Sequence, residues 1–167
     1  KILHSDYKIF GEITLDELGR NDVYFLPYLS GERCPHNDVD ISGAFLGLRH
    51  TTSEKDLSLA VLEGVTFALN DCLELIRSKD VEINEVTLCG GGVKSKIWPH
   101  IIANALNVTV KFTQTEQGPG YGAAILSMVA TGLYESVDDA ITKLIKISSS
   151  ISPIDEIVER YKNKYEK

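Results

Sequence analysis

Clusters of Lys and Arg are missing from these 167 residues, and the chain carries a net charge of −7 with an isoelectric point near 5.1. Neutralising a nucleic-acid backbone needs grouped cations, so nucleic acid is not an expected partner. A nucleotide held by backbone amides at one local site stays open. Cysteine is scarce and odd in number: Cys34, Cys72 and Cys89 stand far apart with no C-x-x-C pair. That argues against a secreted disulfide framework, which normally shows an even set, and favours reduced cytosolic thiols. The four histidines, His4, His36, His50 and His100, lack zinc-ligand spacing, so no metal site is expected. No apolar run reaches membrane-spanning length, and "KILHSDYKIF" does not read as a signal peptide. No membrane partner is expected, and the expected location is the cytoplasm. Internal repeats and low-complexity tracts are also missing.

What is present is core material. Hydrophobic residues make up 43% and charged residues 25% of the chain, which suits one globular domain or a large piece of a bigger one. The first fifty residues read as irregular: an apolar run at Val23 to Leu29, then a polar loop carrying Glu32, Arg33 and His36. The clearest element follows. Leu57, Ala60, Val61, Val65, Ala68, Leu69, Cys72, Leu73 and Ile76 recur at helical spacing and predict a buried apolar stripe on one long helix. At about 27 residues it would span about 40 Å, at a rise of about 1.5 Å per residue. Thr52 or Ser53 suits its start, with Glu54 and Asp56 at its positive end. Gly64 falls mid-helix, either because another element approaches closely or because the helix tolerates it.

"EVTLC" and "NVTVKF" read as strands, with Ser95 to Leu106 as a helix between them. "GPGYGAAILSMVATGLY", a segment opened by Ser136 and a terminal charged segment after Pro153 read as three more helices. Two strands cannot cover so many helix faces, so the pattern predicts part of a larger α/β domain.

Between the first strand and its helix stand Gly90, Gly91 and Gly92. The run is not a Walker loop, because Val93 precedes Lys94. It is not a dinucleotide fingerprint either, because Ser95 takes the third glycine position and no ribose-binding acid follows. Two readings remain on the residues themselves. The glycines make a tight turn, or they offer bare backbone to a flat base or ribose, with Ser95 and the free N–H groups of a helix beginning near Ser95 beside it. Lys94 reads as a solvated lysine. Trp98 and Tyr121 read as packing anchors rather than stacking platforms.

In its segments and their spacing the chain resembles the C-terminal domain of the FGGY carbohydrate kinases. The stretch from "FLPYLSGERCPHND" through "ISGAFLGLRHTTSEKDLSLAVLEGVTFAL" fits that family's second signature at Gly43, Phe45, Gly47 and Leu48, then at Asp56, Leu57, Ala60, Val61, Leu62 and Glu63. "GGGVKSKIWPHIIANALNVTV" is similar to its adenosine motif, and "EQGPGYGAAILSMVATGLY" to the small-residue helix after it. "FLPYLSGERCPHND" is most similar to the xylulokinase branch, with gluconate-type kinases next.

The resemblance implies the C-terminal part of an actin-like ATPase, ribonuclease H-like α/β fold, rich in helix with a small partial sheet. In such kinases two domains close over ATP with Mg2+ and a small sugar. By carry-over, Gly90, Gly91 and Gly92 would form the adenosine-facing wall, with Ser95 where many relatives have an adenine-contacting Asn. Glu32, Arg33 and His36 would face the interdomain cleft, or else form a solvated loop with a local Glu–Arg pair. The family's D-x-G-T-[ST] phosphate motif and its catalytic Asp belong to an N-terminal sugar domain, and that motif is not in this sequence. Residues 1–167 are therefore expected to be a partial C-terminal domain without catalytic or metal-binding residues, inactive alone. The metal would be held through the nucleotide and the other domain. Expected partners are nucleotide, sugar and that N-terminal domain, with a homodimer left open. The rival from another class is a non-enzymatic helical interaction module.

Overall fold

The computed structural model describes residues 7–114 and 118–167. After two short 3-10 turns comes a small antiparallel hairpin, β1 (Tyr24–Leu26) and β2 (Ala44–Leu46), and then the long helix α1 (Glu54–Arg77). β3 (Glu85–Leu88), α2 (Trp98–Ala105) and β4 (Thr109–Thr113) make a strand–helix–strand unit. α3 (Gly118–Ala130), α4 (Val137–Leu144), β5 (Ile147–Ile151) and α5 (Asp155–Tyr165) complete the chain.

Ser53 and Asp56 form a reciprocal capping box at the start of α1, with Ser53 Oγ accepting the Asp56 N–H at 3.2 Å and Asp56 Oδ2 accepting the Ser53 N–H at 2.8 Å. The hairpin docks on the middle of this helix. Gly64 permits it: a Cβ there would stand 2.0 Å from the Phe25 carbonyl oxygen. Close approach, not tolerance, is the reason for that glycine. Phe25 and Phe45 stack beside it, their ring centroids 4.6 Å apart.

β3 and β4 run parallel, as a crossover through α2 requires, and β5 adds antiparallel to the far side of β4. Among the described residues, the other edge of β3 pairs with nothing. The sheet thus has one strand more than expected, and the hairpin lies apart from it. β5 ("ISSSI") is polar and nearly all exposed, and β1 and β2 have three residues each, so neither carries a periodic signal.

Two apolar clusters flank α2. Ile101 joins Leu59, Leu62, Ile157 and Tyr161, while Ile102 joins Leu73, Leu106, Val108 and Val110. Asn104, fully buried, ties α2 to the terminal helix: it donates to the His100 carbonyl at 2.7 Å and accepts the Ile154 N–H at 2.7 Å. A buried ion pair ties α1 to α5. The Glu63 carboxylate accepts from Lys164 Nζ at 2.6 Å and from the Gly19 N–H at 3.2 Å, and Lys164 also lies over the Tyr24 ring. Burial pushes the Glu63 carboxyl up, and the ammonium beside it pulls the other way.

The buried face of α1 is turned from the expected stripe. Leu59, Leu62, Glu63, Thr66 and Asn70 are buried, whereas Val61 and Val65 are half-buried and Leu69 and Ile76 are exposed. α3 buries only Ile125, although its sequence is apolar almost throughout. None of the described helices is long and apolar enough to cross a membrane.

Candidate functional site

A cavity of about 710 Å³ opens where α1 faces the turn between β3 and α2. Its floor is Phe10, Val61 and Val65, its back is Trp98, and its wall is Gly91, Gly92 and Ser95, with Lys94 and Lys96 beside them. Three of the four expected nucleotide-wall residues therefore come together. Gly90 stands at the start of the turn, outside the lining, with φ 83° and ψ −166°, a backbone region that glycine alone enters readily.

The three glycines have different surroundings. A Cβ on Gly92 would press on the Trp98 ring at 3.0 Å, so that glycine makes room for the indole. Trp98 is fixed from behind, its Nε1–H donating to Thr66 Oγ1 at 3.0 Å, and it packs against both apolar clusters. It is the packing anchor the sequence suggests, and its edge also reaches the cavity. A Cβ on Gly91 would meet no described atom within 4 Å. Open space lies in front of it.

The expected helix start at Ser95 is corrected. Residues 91–94 form a 3-10 turn, and α2 begins only at Trp98. Its leading N–H groups are already engaged: Ser95 Oγ accepts that of Trp98 at 3.1 Å, Pro99 has none, and the Ile97 carbonyl accepts those of His100 and Ile101. A ligand in this cavity would meet bare glycine backbone, not a free helix terminus. The Ser95 hydroxyl keeps its own proton to donate.

The polar loop lies elsewhere. Glu32, Arg33 and His36 do not line the cavity. The backbones of Glu32 and Asp38 exchange hydrogen bonds at 2.8 and 2.9 Å and close the loop. The Glu32 carboxylate accepts the N–H groups of Cys34 (2.5 Å) and His36 (2.8 Å), so it shapes its own turn and does not pair with Arg33. The His36 ring meets Tyr28 Oη at 3.3 Å and the Asp71 carboxylate on α1 at 3.7 Å. Arg33 is exposed.

Phe10, Val61, Val65 and Lys96 went unread as site residues. Val61 and Val65 were visible as apolar helix positions, but nothing local says that they floor a cavity. Among the described residues no group of three or more His, Cys, Asp or Glu could hold a metal; His4 lies outside those residues, as do Glu116 and Gln117 of the small-residue segment.

The mixed sheet, its crossover helix and the apolar α3 define part of an actin-like ATPase fold. Solved structures share it: a xyloylose kinase from Brucella ovis superposes with a TM-score of 0.78 at 35% identity, covering 96% of this chain and 35% of that one. A ligand-bound xylulose kinase from Lactobacillus acidophilus gives 0.81 at 24% identity, covering 95% and 32%. The chain belongs to the FGGY family of carbohydrate kinases, whose C-terminal domain model matches residues 13–131. A xylulose kinase of Staphylococcus epidermidis is 36% identical over 153 residues, which is 90% of this chain and 31% of that protein. The chain thus spans about a third of the length of the curated relatives it matches.

Proposed function

We propose that this chain is the nucleotide-facing part of an ATP-dependent carbohydrate kinase that converts D-xylulose to D-xylulose 5-phosphate. The observation that carries the reading is Gly91: bare backbone, with open space before it, on the wall of the cavity between α1 and the β3–α2 turn. A purine laid on that wall would have Ser95 as a donor to a ring nitrogen and apolar surface from Val61 and Val65 beneath. Lys94 and Lys96 bias the mouth toward an anionic ligand.

Phosphoryl transfer depends on positioning the two reactants and neutralising charge on the transferred group. This chain's residues serve the first task at the adenosine end. Mg2+ would arrive on the nucleotide's phosphates and be held mainly with the other domain, since among the described residues no group of three or more His, Cys, Asp or Glu could hold a metal. The general base and the sugar pocket would also belong to that N-terminal domain. Support for a larger assembly comes from the edge of β3 that pairs with nothing among the described residues, the half-bare Val61–Ile76 stripe and the relatives' threefold greater length. The chain alone would be inactive.

An amide-resolved titration with ADP, and then with adenosine, tests the site. Saturable shifts at residues 90–95, reproduced by adenosine, are expected. Shifts confined to the Val61–Val65 floor would remove the glycines from the site. A lack of nucleotide binding with tight self-association would favour the helical interaction module. Phosphorylation assays on the full-length kinase with D-xylulose and with gluconate test the sugar, and clear turnover by the 167-residue chain would overturn its inactivity.

A further inference from the structure

Two of the three cysteines, 38 positions apart in sequence, meet in the fold. The Cys72 thiol on α1 donates to the Cys34 carbonyl oxygen at 3.2 Å. The Cys72 sulfur is therefore already at the backbone from which the Cys34 thiol projects. The meeting is built on both sides. Glu32 holds the turn around Cys34 through the N–H groups of Cys34 and His36, and His36 rests against Asp71, the residue before Cys72. Asp71 is itself fixed by the Tyr165 hydroxyl at 2.5 Å.

We infer that Cys34 and Cys72 form a dithiol site that closes to an intramolecular disulfide when a low-molecular-weight disulfide oxidises it. Cys34 is exposed and Cys72 half-buried. Burial, with the neighbouring Cys34 thiol adding to it, raises the Cys72 thiol above its ordinary range, which leaves the exposed sulfur as the first nucleophile. The Cys34 thiolate attacks one sulfur of glutathione disulfide, forming a mixed disulfide and releasing one glutathione thiolate. Cys72 then loses its proton and attacks the Cys34 sulfur, displacing the second glutathione. Two protein thiols are oxidised, one glutathione disulfide is reduced to two thiols, and no further oxidant is needed. The bond would fasten the loop that carries Arg33 and His36 to α1. The inference does not depend on nucleotide binding.

The test is incubation of the 167-residue chain with glutathione disulfide, alkylation of the remaining thiols and mapping of the peptides by mass spectrometry, in buffer and in urea. In buffer the expected product is a Cys34–Cys72 link with loss of two hydrogens, Cys89 staying outside it. In urea that selectivity should be lost, because Cys72 is nearer in sequence to Cys89 than to Cys34 and loop closure then favours the shorter span. Cys72→Ser should leave glutathione trapped on Cys34. Persistent glutathione on Cys34 of the unaltered chain, or the same mixture of links in buffer as in urea, would overturn the inference.

Discussion

Two glycines set the closed and open regions of this molecule against each other. Gly64 sits where a hairpin strand crosses α1, with a carbonyl oxygen occupying the place of its missing Cβ. Gly91 sits at the β3–α2 turn with no described atom in that place. Both replace a side chain with backbone, but the first does so for packing. The second has no packing reason among the described residues. An unfilled glycine on a cavity wall is the stronger indication of a ligand, because removing a Cβ there does nothing for the fold.

The closed region should break hardest. Glu63, beside Gly64, is buried together with Lys164, and Glu63→Gln leaves the ammonium without its counter-charge. Loss of one partner of a buried pair costs about 3–5 kcal/mol, and urea denaturation should show a loss of that size. A variant within experimental error of the parent would mean that water reaches the pair. Next comes Gly64→Ala. A methyl group 2.0 Å from the Phe25 carbonyl oxygen cannot be relieved by choosing another rotamer. The hairpin must lift from α1, at about 3 kcal/mol, the top of the usual range for overpacking. Weakened protection of the Tyr24–Leu26 amides in hydrogen exchange would locate the damage.

Gly90 lies between the two regions in kind. It has open space like Gly91 but a backbone conformation that only glycine adopts readily. Gly90→Ala should therefore cost about 1–3 kcal/mol through strain alone. A smaller denaturation change would show that the turn relaxes to another conformation, and the comparison would then rest on Gly91.

The same contrast explains what could be read in advance. α1, β3 and β4 were legible because apolar residues recur along them at helical or strand spacing, and the glycine turn because three glycines interrupt that pattern. β1 and β2 were not, since three residues are too few to show alternation, and β5 was hidden by its serines. The buried face of α1 was misjudged for a physical reason. Glu63, Thr66 and Asn70 look like surface residues, yet Glu63 is satisfied by Lys164, 101 positions away, and Thr66 by the Trp98 indole. Such pairings leave no local mark. Ser95 misled in another way: it does cap an N–H, but that of Trp98, so the helix starts later than its capping residue suggests.

The smallest effect on stability is the most informative. Gly91→Ala places a methyl group in open space at a residue with no positive φ to lose. Its denaturation midpoint should match the parent's within about 0.5 kcal/mol, the range of an unstrained surface change. Nucleotide affinity should behave differently. A base lying on bare backbone would be lifted by the new methyl group, and the ADP dissociation constant should rise by about tenfold, equivalent to about 1.4 kcal/mol. Gly91→Val should raise it further while leaving the fold in place. Unchanged affinity in both variants would mean that the open glycine faces no nucleotide. A loss of stability without a change in affinity would instead make Gly91 a packing glycine like Gly64, and the contrast between the two regions would disappear.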